Sequence, residues 1–401
     1  MQSFKSYILL VLTISLVLAS CSKENKNGDT QVREISVEEE EGMVPSQWFN
    51  KFHCVQLEMN DDCLISDIAQ LEDIDGIVVI RTTDDHIFTF DKTTGKFINA
   101  IGEKGEGPNE YLRPLSFSVT SDKQLAITDD LKGCVLRYTM EGKFVGSSKI
   151  EIPSANANTT ALTYDCYLLE ENCLNSTQNG GKANSEYSVI DLKTGKSVKE
   201  FGSYSPLRLH EYVNRITASP MAKCGNTVSF IKAYCDTIFH YNSIKDIAPA
   251  FKLKLEKGMV GRETVASWEG TDVDIKPIEL ARKGKNTGLV KIFETKRTIL
   301  LVSSLSSLYE GYIWIDKQSW KGYHVPVSKD EAAAMIEGKT TIGEIGSNEK
   351  EMIFYLNQKN ISLLKDAFRS GSQLKPLSQE LKKVVENADV EGNPVLVFYE
   401  H

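Results

Sequence analysis

The sequence predicts an all-β fold: a six-bladed β-propeller closed by its N- and C-terminal strands, with short helical insertions near the C-terminus. Three observations carry this reading. A strand–turn–strand unit recurs about every fifty residues, the period of propeller blades. Alternating strands stand at both ends of the globular sequence, Phe52–Leu57 and Pro394–Tyr399. Tyr and Phe are plentiful, 15 and 16 residues, and suit strands better than helices.

Near the N-terminus, Lys5 precedes an apolar stretch from Tyr7 to Leu18, broken only by Thr13 and Ser15. Leu18-Ala19-Ser20-Cys21 closes it. This is the layout of a secretory signal peptide over residues 1–20. A helix over the apolar stretch would span about 18 Å, short of a hydrocarbon core of about 30 Å, which argues against a transmembrane anchor. The ending resembles the lipobox of bacterial lipoproteins. That resemblance implies an acylated Cys21 as the first residue of the mature chain and as its attachment to a membrane. Residues 21–47 are polar and acidic, with Glu38 to Glu41 consecutive and few large apolar side chains. Such a composition does not offset the entropy of ordering, so a flexible lipidated tether is expected there.

Globular sequence, and with it the propeller, is expected from Trp48 to His401. Ile87-Phe88-Thr89-Phe90-Asp91 is followed by Lys92-Thr93-Thr94-Gly95-Lys96, and Val189-Ile190-Asp191 by Leu192-Lys193-Thr194-Gly195-Lys196. Tyr312 to Asp316 with Lys317 to Lys321 keeps the length without the glycine. Looser copies run from Val135 to Phe144 and from Asp236 to Asn242. In each, alternating apolar residues make a half-buried strand and a polar turn reverses the chain. Equivalent positions fall at Asp91, Thr139, Asp191, Asn242 and Asp316, spaced by 48, 52, 51 and 74 residues, the last step carrying an insertion. The remaining blade is expected from Met352–Leu356 and Pro394–Tyr399, completed by Phe52–Leu57, because a ring with an open strand edge invites aggregation. Two helices interrupt the pattern. One is expected over Lys329–Glu337 with Ser328 as its cap, the other from Ser378 with Leu374, Leu377, Leu381, Val384 and Val385 at helical spacing.

After the hairpin at Gly95 to Phe97 comes Gly102-Glu103-Lys104-Gly105-Glu106-Gly107-Pro108-Asn109-Glu110-Tyr111. With Val55-Gln56-Leu57-Glu58, Leu64-Ile65 and Asn393-Pro394-Val395-Leu396, this run resembles the NHL-like six-bladed β-propeller lipoproteins of Gram-negative bacteria. The resemblance spans residues 48–401 together with the lipobox. It implies the propeller and the lipid anchor, and it implies no particular activity.

Composition excludes some chemistry. Loss of Lys5 with the signal peptide takes the formal net charge from −9 to −10. An acidic chain without basic clusters is a poor match for nucleic acid. Beyond Cys21, seven cysteines remain: Cys54, Cys63, Cys134, Cys166, Cys173, Cys224 and Cys235, none in CxxC spacing. Export would permit a Cys166–Cys173 disulfide across a hairpin. The reading preferred for most of the seven is that of small buried hydrophobes. The glycine run is neither G-x-G-x-x-G nor a P-loop, and a strand rather than a helix is expected after it, so no phosphate cradle forms. It reads as a crossing between blades, on which Glu110, Tyr111 and Arg113 could line a recognition surface. No H-E-x-x-H or G-x-S-x-G occurs. His86 and His240 sit in related hairpins at offset positions. Asp129, Asp130 and Asp165 are the acidic groups that strand position would send towards a channel metal. The carboxylate pairs Asp61-Asp62 and Asp84-Asp85 read as solvated turns.

The expected function is a non-enzymatic binding module for an envelope protein or glycan, with no cofactor, no metal and no nucleic-acid partner. It would be exported and lipid-anchored at the bacterial outer membrane, on the periplasmic face or the cell surface. The alternative is a metal-dependent envelope lyase or hydrolase with its site in the central channel.

Overall fold

A computed structural model of the chain describes residues 32–39, 49, 51–150, 159–162, 167–171, 187–191, 194–201, 221–232, 234–243, 246–255, 258–261, 264, 267, 276, 279–280, 283, 288–305, 308–326, 346–370 and 379–401. The expected signal peptide, Cys21, Asp165, Cys166, Cys173 and the helix expected over Lys329–Glu337 with its cap Ser328 lie outside these residues.

Two strands come first, β1 (Arg33–Glu39) and β2 (Lys51–Gln56). Antiparallel meanders follow: β3 (Ile68–Ile74), β4 (Ile77–Thr82), β5 (Ile87–Asp91) and β6 (Phe97–Ala100), then β7 (Pro114–Val119), β8 (Leu125–Asp129), β9 (Cys134–Tyr138) and β10 (Phe144–Lys149). Next are β11 (Thr159–Leu162), β12 (Tyr167–Glu171), β13 (Tyr187–Asp191) and β14 (Ser197–Phe201), and β15 (Met221–Cys224), β16 (Thr227–Ile231), β17 (Thr237–Ser243) and β18 (Asp246–Leu255). The chain continues through β19 (Gly288–Glu294), β20 (Thr298–Leu305), β21 (Leu308–Asp316) and β22 (Lys321–Pro326). It ends with β23 (Gly346–Ser347), β24 (Glu351–Leu356), helices α1 (Gln358–Arg369) and α2 (Gln379–Asn387), and β25 (Val395–Glu400).

The equivalent positions read from the sequence close the third strand of each meander, and the turn chemistry explains why. Asp91 Oδ1 accepts from the Thr94 amide at 2.7 Å, and Asp191 Oδ1 accepts from the Thr194 amide at 3.0 Å. Gly95 and Gly195 then donate their amides to the Asp91 and Asp191 carbonyls with φ of +70° and +68°. Only glycine takes that conformation without strain. Both also lie against a neighbouring sheet: a Cβ on Gly95 would stand 2.2 Å from the Gln56 carbonyl oxygen, and one on Gly195 1.8 Å from that of Lys149.

The first strands of successive meanders form a closed circuit. β3 touches β7, β7 touches β11, β11 touches β15, β15 touches β19, β19 touches β23, and β23 returns to β3. The architecture is therefore an all-β propeller, with its core between sheets rather than at one centre. Val79, Phe117, Ile127 and Tyr138 fill one such interface, and Tyr187, Met221, Phe230 and Tyr241 another.

The two ends of the chain meet in one sheet. β2 pairs antiparallel with β25 from Lys51↔Glu400 to Gln56↔Val395, giving the order β2-β25-β24-β23. Buried Asn393 locks the join. Its Nδ2 donates to the carbonyls of Glu58 (2.6 Å) and Cys63 (2.7 Å), and its Oδ1 accepts from the Ile65 amide at 2.9 Å.

Two features differ from expectation. The tether expected over 21–47 does not extend that far, because Arg33–Glu39 is strand β1, seated between β18 and β22 in a nine-stranded sheet and parallel to β22. Charge content hid a period of two. Ile35 and Val37, 0% and 6% exposed, face the core while Glu34, Ser36 and Glu38 face out. The helix α1 had no counterpart in the sequence reading. Asn357 caps it, its side chain accepting from the Asn360 amide while the Asn360 side chain accepts from the Asn357 amide. Helix α2 matches the expected second helix over Leu381, Val384 and Val385; Leu374, Leu377 and Ser378 lie outside the described residues. Ile361 and Leu364 of α1 and Leu381 and Val385 of α2 pack in one cluster with Trp314 and Phe354. Both helices thus fill a strand-to-strand connection of the closing sheet.

Candidate functional site

Since strands alternate in direction, short turns such as Asp75-Gly76 and Thr93-Thr94 gather on one side, and the longer connections, with α1, α2 and residues 102–113, on the other. The glycine-rich connection is an internally tied knot. Gly105 donates to the Tyr111 carbonyl and Tyr111 to that of Glu103, both at 2.9 Å. Lys132 Nζ donates to the carbonyls of Gly107 (2.7 Å) and Glu110 (2.6 Å), and the Tyr138 hydroxyl to that of Asn109 (2.7 Å).

This knot accounts for all three residues expected on a recognition surface. Tyr111 is 1% exposed and packs with Val79, Phe117 and Tyr138, and burial pushes its phenol well above the ordinary range. It is a core residue, not a surface one, because the glycines let the backbone fold back over the ring. Glu110 Oε2 accepts from the Gly107 amide at 2.8 Å. Arg113 forms a two-pronged ion pair with Asp130, Nε to Oδ1 at 2.9 Å and Nη2 to Oδ2, and keeps 39% of its side chain exposed.

The acidic groups considered for a channel metal are occupied likewise. Asp129 accepts from the amides of Leu112 (2.6 Å) and Lys132 (3.0 Å), and Asp130 holds Arg113. His86 lies beside Phe88 at the end of a hairpin, whereas His240 packs edge-on against Phe251 in a different sheet. Among the described residues no set of three His, Cys, Asp or Glu is placed to hold a metal. Cys54, Cys63, Cys134, Cys224 and Cys235 are free thiols. Burial pushes Cys54 up to about 12 and Cys224 up to about 11, so neither supplies a thiolate at neutral pH.

Polar side chains near the short turns tie sheets together. Lys92 bridges Asp73 (2.9 Å) and Glu351, and Asn348 bonds the same two carboxylates at 3.1 and 3.2 Å. Lys317 pairs with Glu294 at 2.6 Å, whose other oxygen accepts from the Ser229 hydroxyl. Lys92 and Lys317 each follow the aspartate that ends a third strand, so the repeat itself places them.

One pair is not used this way. Glu72 on β3 and Lys223 on β15 act on each other electrostatically. Their strands are not neighbours, since β3 adjoins β7 and β23 while β15 adjoins β11 and β19. The two groups therefore sense each other across the channel bounded by the first strands. Both keep some accessible surface although protein surrounds them. Burial pushes the Glu72 carboxyl up, against the pull of Lys223 and a 3.0 Å bond from Gln70 Nε2. It pushes the Lys223 ammonium down, against Glu72. Gln70 also exchanges bonds with the backbone of Phe117, at 2.7 and 3.0 Å, and so fixes Glu72 against β7. No motif in the chain marks this pair, because the repeats are legible at the third strand and its turn, not at the first strand.

No curated protein matches the chain in sequence. Among solved structures, a protein of Bacteroides fragilis NCTC 9343 described as exported aligns at 18% identity with a TM-score of 0.70, covering 91% of this chain and 98% of its own. A member of the DUF4221 family from Bacteroides vulgatus ATCC 8482 aligns at 11% identity with a TM-score of 0.51, covering 88% and 96%. At these identities the likeness is one of fold. The model of the family "Domain of unknown function (DUF4934)" matches residues 31–400, from just before β1 to the last residue of β25, and the chain belongs to that family.

Proposed function

We propose that this protein is a six-bladed, NHL-like propeller lipoprotein that binds an envelope protein or glycan without transforming it. The closed circuit of first strands supports the blade count: the nine-stranded sheet is two four-stranded blades joined through β1. The lipobox at Leu18 to Cys21 supports export and acylation at the outer membrane, on its periplasmic face or at the surface.

The single observation that carries the binding reading is the fate of the reactive groups. Asp129, Asp130, Glu294 and Lys92 hold sheets and connections together, and burial keeps Cys54 and Cys224 as thiols. A rigid scaffold carrying long connections on one side suits recognition. Arg113, part-exposed on that side, is assigned to the rim, with Glu110 shaping the loop beneath it. A metal-dependent lyase or hydrolase has no observation in its favour among the described residues.

Two measurements test this. Fatty-acid labelling in cells should mark the wild-type chain and not Cys21→Ala; equal labelling of both removes the anchor. Purified protein should bind members of an envelope glycan and peptide panel and return them unchanged. Metal-dependent turnover of any panel member would overturn the reading.

A further inference from the structure

We propose that the channel end near the short turns is a binding site for a small zwitterion, a free amino acid or short peptide with both termini unblocked, its ammonium at Glu72 and its carboxylate at Lys223. This site lies at the end of the channel opposite the long connections and goes beyond the binding reading above.

Glu72 lies three residues before the Asp75-Gly76 turn and Lys223 two before Gly225, so both stand at the same end of the channel. They are further apart than the 4.0 Å of an ion pair. Among the described residues Lys223 has no hydrogen-bond or ion-pair partner, and the single side-chain partner of Glu72 is Gln70. Among the described residues, other charges near the short turns are paired: Lys92 with Asp73 and Glu351, Lys317 with Glu294, Lys296 with Glu349.

An unpaired charge in a surrounded site weakens the fold, and the apolar alternative is open to it. Opposite charges held apart across the channel do nothing for packing. They complement a molecule that carries both charges with a short spacer. A ligand with one charge would leave the other group unpaired, which gives the site its selectivity. Gln70, clamped to the Phe117 backbone, holds the carboxylate in place before the ligand arrives.

Calorimetric titration of the full mature chain with glycine, alanine and alanylalanine tests this, with acetate and ethylammonium as single-charge controls. The zwitterions should bind and the controls should bind at least about tenfold more weakly. Glu72→Gln and Lys223→Met should each weaken zwitterion binding by about tenfold or more. Lys223→Met should also raise the melting temperature, since it replaces an unpaired ammonium with an apolar chain of similar length. A structural lysine would do the reverse. The exchange of the two residues, Glu72→Lys with Lys223→Glu, should restore binding with the ligand reversed. Absence of heat with every zwitterion, wild-type binding by Lys223→Met, or a lowered melting temperature of that variant overturns the proposal. Capture of glycans or longer peptides without any response to zwitterions would sink this site and leave the binding reading standing. Turnover of a bound zwitterion would do the opposite.

Discussion

Two seams between neighbouring sheets are built from opposite materials. Where the β13–β14 turn meets β10, contact is backbone to backbone: Gly195 lies so close to the Lys149 carbonyl that no side chain fits. Where the β21–β22 turn approaches β18, strand β1 is inserted and the two sheets are held apart. The same turn position is there Trp320, at φ +57°, with its amide donating to the Asp316 carbonyl at 2.7 Å as Gly195 does to Asp191. Its ring lies 4.8 Å from Phe251 of β18 and spans the wider gap. One turn geometry thus serves a tight seam with no side chain and a strapped seam with the largest one. Spacing between sheets decides which residue is tolerated.

The strapped seam offers the largest effect. Ile35→Asp puts an unpaired carboxylate among Ile299, Leu301 and Ile313 and should expel β1, at a cost of about 4 kcal/mol or more in urea unfolding. A cost below about 1 kcal/mol would mean that β1 contributes little to the fold. At the tight seam, Gly195→Ala combines a positive φ with a blocked approach and should cost about 3 kcal/mol. If the two sheets part without loss, the backbone contact is not what joins them. Trp320→Gly relieves the strained φ but forfeits the Phe251 contact, for a net loss of about 1 kcal/mol. A gain instead would show that the ring does not bridge the seam.

The smallest effect is a pH dependence at the same place. His240 packs against Phe251, and burial pushes its imidazole below the ordinary value, with Glu294 opposing and Lys317 assisting. The unfolded chain therefore takes up the proton more readily than the folded one. Stability from this residue should be fully present above the unfolded value of about 6.5 and should fall as pH drops through it. Melting curves between neutral and mildly acidic pH should show a shallower decline in His240→Phe than in wild type. Equal slopes would remove His240 from the seam's energetics.

Individual residues show how far the sequence alone could be read. Asp91, Asp191 and Asp316 announce their turns because a short carboxylate and a residue at positive φ are local requirements. Leu381 and Val385 announce α2 through helical spacing. The Asn393-Pro394-Val395-Leu396 run was visible as a closing strand, although the three bonds that make Asn393 its lock join residues more than three hundred positions apart. Strand β1 was concealed by its glutamates, since a segment with two core-facing residues folds only where partner edges already wait on both sides. Tyr111 looked like a surface residue because a glycine-rich loop is exposed on average, and only the knot around Lys132 turns the ring inward.

Taken by itself, the chain determined everything that depends on near neighbours: the strands, their turns, the repeat and the apolar N-terminal segment. The tertiary structure decided what lies beside what. It set β1 between two sheets, assigned Asp129, Asp130 and Arg113 to holding a loop, and brought Glu72 and Lys223 to face one channel. Local rules act over a few residues of contour, whereas a closed circuit of sheets juxtaposes groups whose separation along the chain carries no information about their distance in space.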